Sequence, residues 1–274
     1  MAPRVIQSEL LRIRGKRTED LTIYEKSLLV REHLNALDVE SLREAERLLS
    51  EILAEQPHWG EAYALAADWH ALMVAEGWSG TREFNLREMD RYSRIALDLD
   101  SDNLRALVHY GHRRSLFYRD YEIAQSYLQR GLDVGPGWAW GWLWSSYTQA
   151  YLGNGADALR MAERAFQLSP RDKEAHWFYS AMCLSHYTNG SYDEAADWGL
   201  RAVSEPVVWR GGPFWAAAAL AGAGRTREAQ DVVSVAVSKW PGRTVADAVA
   251  SHPYRDPRRR ERYGQHLVEA GVPQ

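Results

Sequence analysis

Residues 137–170 read GWAWGWLWSSYTQAYLGNGADALRMAERAFQLSP. The first tryptophans of this stretch stand at every second position, an alternation typical of a half-buried strand. At about 100° per residue, the same spacing places Trp138 and Trp142 on one face of a helix, and Trp140 and Trp144 on the roughly opposite face. The turn sequence GNGADA and the closing Pro170, which cannot continue a helix, favour two consecutive helices over a strand.

The pattern recurs along the chain. Helix-ending stretches close at six places, two of them 34 residues apart: Pro57, Ser101, Pro136, Pro170, Pro206 and Pro241. A small residue stands twelve positions before four of these ends, at Ala45, Ala124, Ala158 and Ala229, and Met89 breaks the series. Small residues let two helices approach closely. A period of this length predicts a repeat architecture.

This repeat resembles the tetratricopeptide repeat, a helix-turn-helix unit of about 34 residues. The best-matching unit is in register at Trp142, Ser146, Ala158, Ala165 and Pro170, and it has the smaller Ala162 and the polar Gln149 where the pattern prefers aromatic residues. The resemblance places Trp142 on the large core position of the unit. It implies that Trp140 and Trp144 lie on the side that lines the concave groove of such solenoids.

The resemblance also implies an all-α fold, a right-handed superhelix (an α-α solenoid) of about six units with C-terminal capping helices. We expect a lead-in segment at 1–20, the solenoid at 21–242 and the cap at 243–274. The expected units are 21–57, 58–101, 102–136, 137–170, 171–207 and 208–241. The second is too long, and we assign the excess to a loop insertion within AEGWSGTREFN.

Composition narrows the possible partners. The chain has 274 residues and a net charge of −4, which gives no long-range field that would attract nucleic acid or an anionic membrane. One cysteine excludes an internal disulfide and fits a reducing compartment. The N-terminus lacks the apolar core of a signal peptide. We therefore expect a cytoplasmic protein that binds neither nucleic acid nor membrane.

Three further stretches resemble the C-terminal repeat region of bacterial class III adenylate/guanylate cyclases. They are LTIYEKSLLVREHLNAL with the basic LLRIRGKR before it, GWSG with the later RIALDLDSDNLRAL, and the closing SHPYRDPRRRERYGQHLVEAGVPQ. No segment resembles the catalytic domain of those enzymes. The resemblance implies a non-catalytic regulatory or interaction module of a signalling protein, without cyclase activity.

The repeat grid places a set of aromatic and cationic residues on or near the concave side: Arg105, His109, His112, Trp140, Trp144, Trp177, Phe178, Phe214 and Trp215. Such a groove could hold a peptide or a partner's helix, with the tryptophans supplying contact area and Arg105 and His112 orienting a polar group. The alternative is that these rings fill space between neighbouring helices. In that case self-association through the convex face, or through the insertion near Trp78, becomes the expected function.

No catalytic residue, metal site or cofactor is predicted. The sequence has no nucleophile elbow, phosphate loop, HExxH helix or dinucleotide fingerprint. The pairs His109/His112 and Cys183/His186 are three residues apart, which places both side chains on one helix face, as two ligands of a metal site would be. A zinc site needs three or four ligands, and the sequence shows no complementary cluster. The carboxylate pairs Asp193/Glu194 and Glu61/Asp68 are explained by helix starts and solvent faces. An all-helical toroidal glycosidase remains the enzyme alternative. In RDPRRRER, residues 255–262, Asp256 and Pro257 predict a helix start whose arginines face water.

Overall fold

The computed structural model describes residues 9–13, 16, 20–78 and 81–274, and these residues form helices joined by turns and short irregular segments, without a strand. Residues 9–13 are helical, and fourteen longer helices follow in the described part of the chain. They are α1 (Ile23–Asn35), α2 (Val39–Glu55), α3 (Gly60–Ala75), α4 (Arg82–Leu99), α5 (Leu104–Tyr118), α6 (Tyr121–Val134), α7 (Ala139–Leu152), α8 (Gly155–Leu168), α9 (Ala175–Asn189), α10 (Tyr192–Val203), α11 (Gly212–Gly222), α12 (Thr226–Lys239), α13 (Val245–Ser251) and α14 (Pro257–Glu269). The all-α prediction is confirmed.

Each of the six expected units contains one pair of these helices, from α1/α2 to α11/α12. The alanines predicted at the close-packing position, Ala45, Ala124, Ala158 and Ala229, are all fully buried. Gly153 ends α7 and Gly190 ends α9 in the left-handed conformation, with φ of 90° and 86°. A glycine takes this conformation without steric cost, so the chain turns at once into the second helix of the unit.

The chain forms two compact units, residues 1–110 and 111–274. In the first unit, α1 to α4 pack in sequence around a core of α1, α2 and α3 side chains that includes Leu42, Leu48, Ile52 and Leu65. Thr22 begins α1 with a capping box completed by Glu25. The predicted insertion precedes α4, and Ser79 and Gly80 within it lie outside the described residues, as do 1–8, 14–15 and 17–19 of the expected lead-in segment.

In the second unit, neighbouring helices of successive repeats pack on each other and α14 packs on both α11 and α13. Gly199 of α10 allows this closeness, because a Cβ there would lie 2.9 Å from Cα of Ala216 in α11. No helix of the described residues is both long enough and apolar enough to cross a bilayer. The three-segment division at 20 and 242 stays a prediction.

Candidate functional site

An aromatic cluster connects the first helices of successive repeats within residues 111–274. Trp144 of α7 lies at its centre: its ring centroid is 4.3 Å from that of His112, 5.7 Å from that of Trp140 and 5.3 Å from that of Trp177. Further rings extend the cluster, namely Tyr147, Tyr151, Phe178, Trp209, Trp215, His252 and Tyr254. Trp140 and Trp144 thus share one helix face, as predicted from their spacing.

Trp142 departs from its predicted place in the core. It is partly exposed, and its indole N–H donates a 2.8 Å hydrogen bond to the carbonyl of Pro136. Leu143 and Ser146 are fully buried on this helix instead. An indole has a polar edge that needs a partner, and the loop before α7 offers one at the surface.

Five of the nine predicted groove residues are buried. Their exposed fractions are 0% for Phe214, 2% for Phe178, 7% for His112, and 8% for both Trp144 and Trp215. These five side chains present little surface to a partner in this conformation of the chain. In the middle of the cluster the rings pack between helices, and His112 stacks on Trp144 at an interplanar angle of 26°.

Part of this burial comes from the chain's own C-terminal strap, residues 252–256. The His252 ring packs 5.8 Å from that of Trp215, and the hydroxyls of Tyr254 and Thr188 share a buried 2.7 Å hydrogen bond. The main chain of the strap is also held: Tyr121 Oη donates to the carbonyl of Pro253 at 2.6 Å. The strap thus fills space beside α6, α9 and α11.

The arginines of the basic run 255–262 do not all face water, which corrects the sequence prediction. Arg259 donates to the carbonyls of Thr188 (2.9 Å) and Gly153 (3.3 Å), at the ends of α9 and α7. Arg260 donates to the carbonyl of Tyr254 at 2.5 Å. The last carbonyls of a helix have no intrahelical partner, so a cation placed there is stabilising. The Asp256 N-cap and Pro257 start of α14 are confirmed.

Three tryptophans of the cluster stay partly exposed, and we call Trp140, Trp177 and Trp209 the open tryptophan surface. Trp140 and Trp177 lie in the first turns of α7 and α9, and Trp209 lies in the loop before α11. The rings of Trp177 and Trp209 stack with centroids 5.4 Å apart and an interplanar angle of 23°. Trp144 joins Trp140 to this stack, so the three indoles belong to one continuous set of ring contacts.

Trp209 was not among the predicted groove residues, because it lies in the loop before α11 and the repeat pattern assigns faces only to helical positions. The Gly211-Gly212 pair that follows could have indicated that the Trp209 ring packs closely against the backbone. A Cβ at Gly211 would lie 2.0 Å from the Trp209 ring, so only glycine lets the ring fold back over the start of α11. The Trp209 indole N–H points to Ser180 Oγ of α9 at 3.3 Å, which fixes the ring against the preceding unit.

The two remaining predicted residues, Arg105 and His109, take part in an ionic network of the first compact unit. Arg105 donates to Glu61 (3.0 Å) and to Asp68 (2.6 Å), and His109 Nδ1 lies 2.8 Å from the other oxygen of Asp68. Arg31 of α1 also binds Glu61, at 2.6 Å. Burial, followed by repulsion from Arg105, lowers the pKa of Arg31.

This network corrects two predictions. Glu61 and Asp68 do not simply occupy a helix start and a solvent face, because Asp68 is buried and both carboxylates accept bonds from arginine. Arg105 was expected to orient a polar group of a partner, but its guanidinium holds α3 to α5 instead. The ion pairs are partly buried, so removing one partner would leave an uncompensated charge.

The pairs His109/His112 and Cys183/His186, which have the spacing of half a metal site, belong to no larger ligand group among the described residues. No group of three or more His, Cys, Asp or Glu side chains that could hold a metal ion occurs among the described residues. Cys183 is buried, and burial raises the pKa of its thiol to about 12, so it is an unreactive thiol at neutral pH.

Comparison with known proteins supports the fold. No family profile and no curated protein matches the sequence. Among solved structures, the chain is similar to PilW, a widely conserved type IV pilus biogenesis factor (13% identity, TM-score 0.54, covering 80% of this chain and 94% of that one). It is also similar to Pseudomonas aeruginosa PilF (17% identity, TM-score 0.50, covering 81% and 94%). Both neighbours are tetratricopeptide-repeat proteins. The chain therefore has the tetratricopeptide-repeat fold, an α-α solenoid.

Proposed function

We propose that this chain is a non-catalytic partner-binding module whose binding site is the open tryptophan surface. The observation that carries the proposal is a set of three partly exposed indoles from three successive repeats, in which Trp177 and Trp209 stack directly and Trp140 is joined to them through the buried ring of Trp144. Tryptophan is the residue type most enriched among the side chains that dominate binding energy. The middle of the cluster, buried in this conformation, supplies the rigid backing for these rings.

The ligand that fits best is a short segment of another protein that carries large apolar side chains. Successive units present one indole each, so an extended segment could place side chains against neighbouring rings in turn. Of the groove residues predicted from the sequence, the proposed site keeps only Trp140 and Trp177, and it adds Trp209. The cationic residues Arg105 and His112 have no role in this site, since the first is ion-paired and the second is stacked.

Selection of peptides from a random display library on the intact chain tests the proposal. We expect enriched peptides with aromatic or long aliphatic residues, and a loss of about 2 kcal/mol or more in binding on Trp140→Ala or Trp177→Ala. Trp142→Ala is the matched control, because Trp142 lies on the same helix as Trp140 and bonds to Pro136 on another face. Enriched peptides that bind all three variants equally would refute the site.

The resemblance to the repeat region of class III cyclases suggests the context of this module. We propose that it belongs to a cytoplasmic signalling protein of that kind and has no cyclase activity of its own. Conversion of a nucleoside triphosphate by the purified chain would contradict this. Light scattering at high concentration tests the self-association alternative, which a strictly monomeric chain would exclude.

A further inference from the structure

A second site is present at the turn between α9 and α10, away from the open tryptophan surface. It is a polar cleft of about 190 Å³ where α14 passes this turn. The residues that line it are Tyr187, Thr188, Asn189, Gly190, Tyr192, Tyr254, Arg259 and Arg262. The lining carries two cationic side chains and no carboxylate, which sets it apart from the ion-paired surface elsewhere. We call it the arginine cleft.

The two arginines face the cleft together because they are three residues apart on α14. Arg259 is fixed by its bonds to the carbonyls of Thr188 and Gly153, and Gly153 provides the room, since a Cβ there would lie 2.9 Å from Arg259 Nε. A guanidinium has five N–H donors, so Arg259 retains donors beyond these two bonds. Its position is therefore preorganised.

Neither arginine is neutralised by an acid of the described chain. Arg262 is exposed and forms no hydrogen bond or ion pair with the described residues, and Arg259 bonds to carbonyls alone. Many other arginines of the chain are paired with carboxylates, as in Arg47–Glu51, Arg91–Glu88 and Arg225–Asp197. The acids in the first turn of α10, Asp193 and Glu194, are exposed and do not line the cleft.

We propose that the arginine cleft binds the phosphate group of a small phosphorylated ligand or free phosphate. Guanidinium groups form paired, charge-assisted hydrogen bonds to phosphate oxygens. Among the lining tyrosines, the hydroxyls of Tyr187 and Tyr254 already bond to His266 and Thr188, so Tyr192 is the one that offers a neutral donor. The N-terminal end of α10 adds partial positive charge beside Tyr192. Tyr254 of the C-terminal strap also lines the cleft, so an anion bound here would lie beside the strap.

Titration calorimetry of the intact chain with inorganic phosphate, with a nucleoside monophosphate and with acetate tests this inference. We expect saturable binding of phosphate or the monophosphate, and weaker binding of acetate. Tighter binding of the monophosphate identifies a phosphorylated ligand as the source, and equal binding identifies free phosphate. No saturable binding of either phosphate probe overturns the proposal.

Two matched variants show whether phosphate binds in the arginine cleft or is attracted by the positive charge of α14 in general. Arg262→Gln removes the unpaired guanidinium of the cleft, and Arg258→Gln removes the same charge from an exposed position in the first turn of the same helix. We expect about tenfold weaker phosphate binding in Arg262→Gln and little change in Arg258→Gln. An equal loss in both variants overturns the site. Because Arg262 holds no other residue, thermal unfolding of both variants should match that of the wild type.

Discussion

Two buried histidines should make the stability of the second compact unit fall steeply below neutral pH. His252 of the strap lines a void with Cys183, Trp215 and Tyr263 that is too narrow for water. Burial, with a smaller effect of Arg119, Arg260 and Arg243, lowers the pKa of its imidazole to about 3. The void and the surrounding cations therefore keep His252 neutral in the folded chain.

His176 of α9 behaves in the same way. It is buried beside Trp177, its Nε2 atom has no hydrogen-bond partner among the described residues, and burial lowers its pKa to about 4. In the unfolded chain a histidine has a pKa of about 6.5. Below that pH the unfolded state binds protons that the folded state excludes, so stability present above pH 6.5 is lost as the pH falls towards the folded pKa values.

The size of the effect follows from these pKa values. Each pH unit below about 6.5 costs about 1.4 kcal/mol for each neutral buried histidine, so the two together cost about 4 kcal/mol at pH 5. Such a loss is a large part of the stability of an ordinary domain. Urea unfolding followed by circular dichroism, at pH 8 and pH 5, measures it as a difference in the free energy of unfolding.

A His252→Gln variant tests whether His252 of the strap causes its share of the loss of stability at low pH. Glutamine does not titrate, so this variant should lose about half as much stability between pH 8 and pH 5 as the wild type does. The reasoning is refuted if the wild type has the same free energy of unfolding at both pH values, or if the variant and the wild type lose the same amount.

Three further substitutions test the packing. Gly155→Ala should lower the free energy of unfolding by about 1–3 kcal/mol, because a Cβ there would lie 2.6 Å from backbone atoms at the end of α9. Gly137→Ala is the control, because a Cβ there meets open space and should leave the stability unchanged. Equal melting temperatures of the two variants would contradict this. Tyr254→Phe leaves the buried Thr188 hydroxyl without its bond and should cost about 1–3 kcal/mol, and unchanged urea unfolding would argue against a fixed strap. Asp68→Ala should lower the free energy of unfolding by about 1–3 kcal/mol, because Arg105 keeps only Glu61 as a carboxylate partner and His109 Nδ1 loses its bond, and a cost below about 1 kcal/mol would show that the network is solvated.

The repeats could be predicted from the sequence because their signals are local. Helix pairs follow from apolar periodicity, small residues at fixed offsets and closing prolines such as Pro170, and all of these act within one unit. The pairing of Trp140 with Trp144 on one face is of the same kind. Local rules therefore predicted every helix pair from α1 to α12.

The strap and the ionic network could not be predicted, because their contacts join residues far apart in the chain. The Tyr121–Pro253 bond spans 132 residues and the Arg105–Asp68 bond spans 37. The run at 255–262 looked solvated because local charge density carries no information about carbonyl acceptors at distant helix ends. Burial of the predicted groove follows from the same long-range packing, so the sequence identified its rings and not their exposure.

Contact of a partner with the open tryptophan surface can be observed directly by NMR. Labelling the intact chain with ¹⁵N-tryptophan gives one indole signal for each of its twelve tryptophans, assigned through single substitutions. Addition of a peptide selected on the chain should shift the signals of Trp140, Trp177 and Trp209, and leave that of Trp142 in place. Shifts confined to other tryptophans, with these three unchanged, would contradict the account.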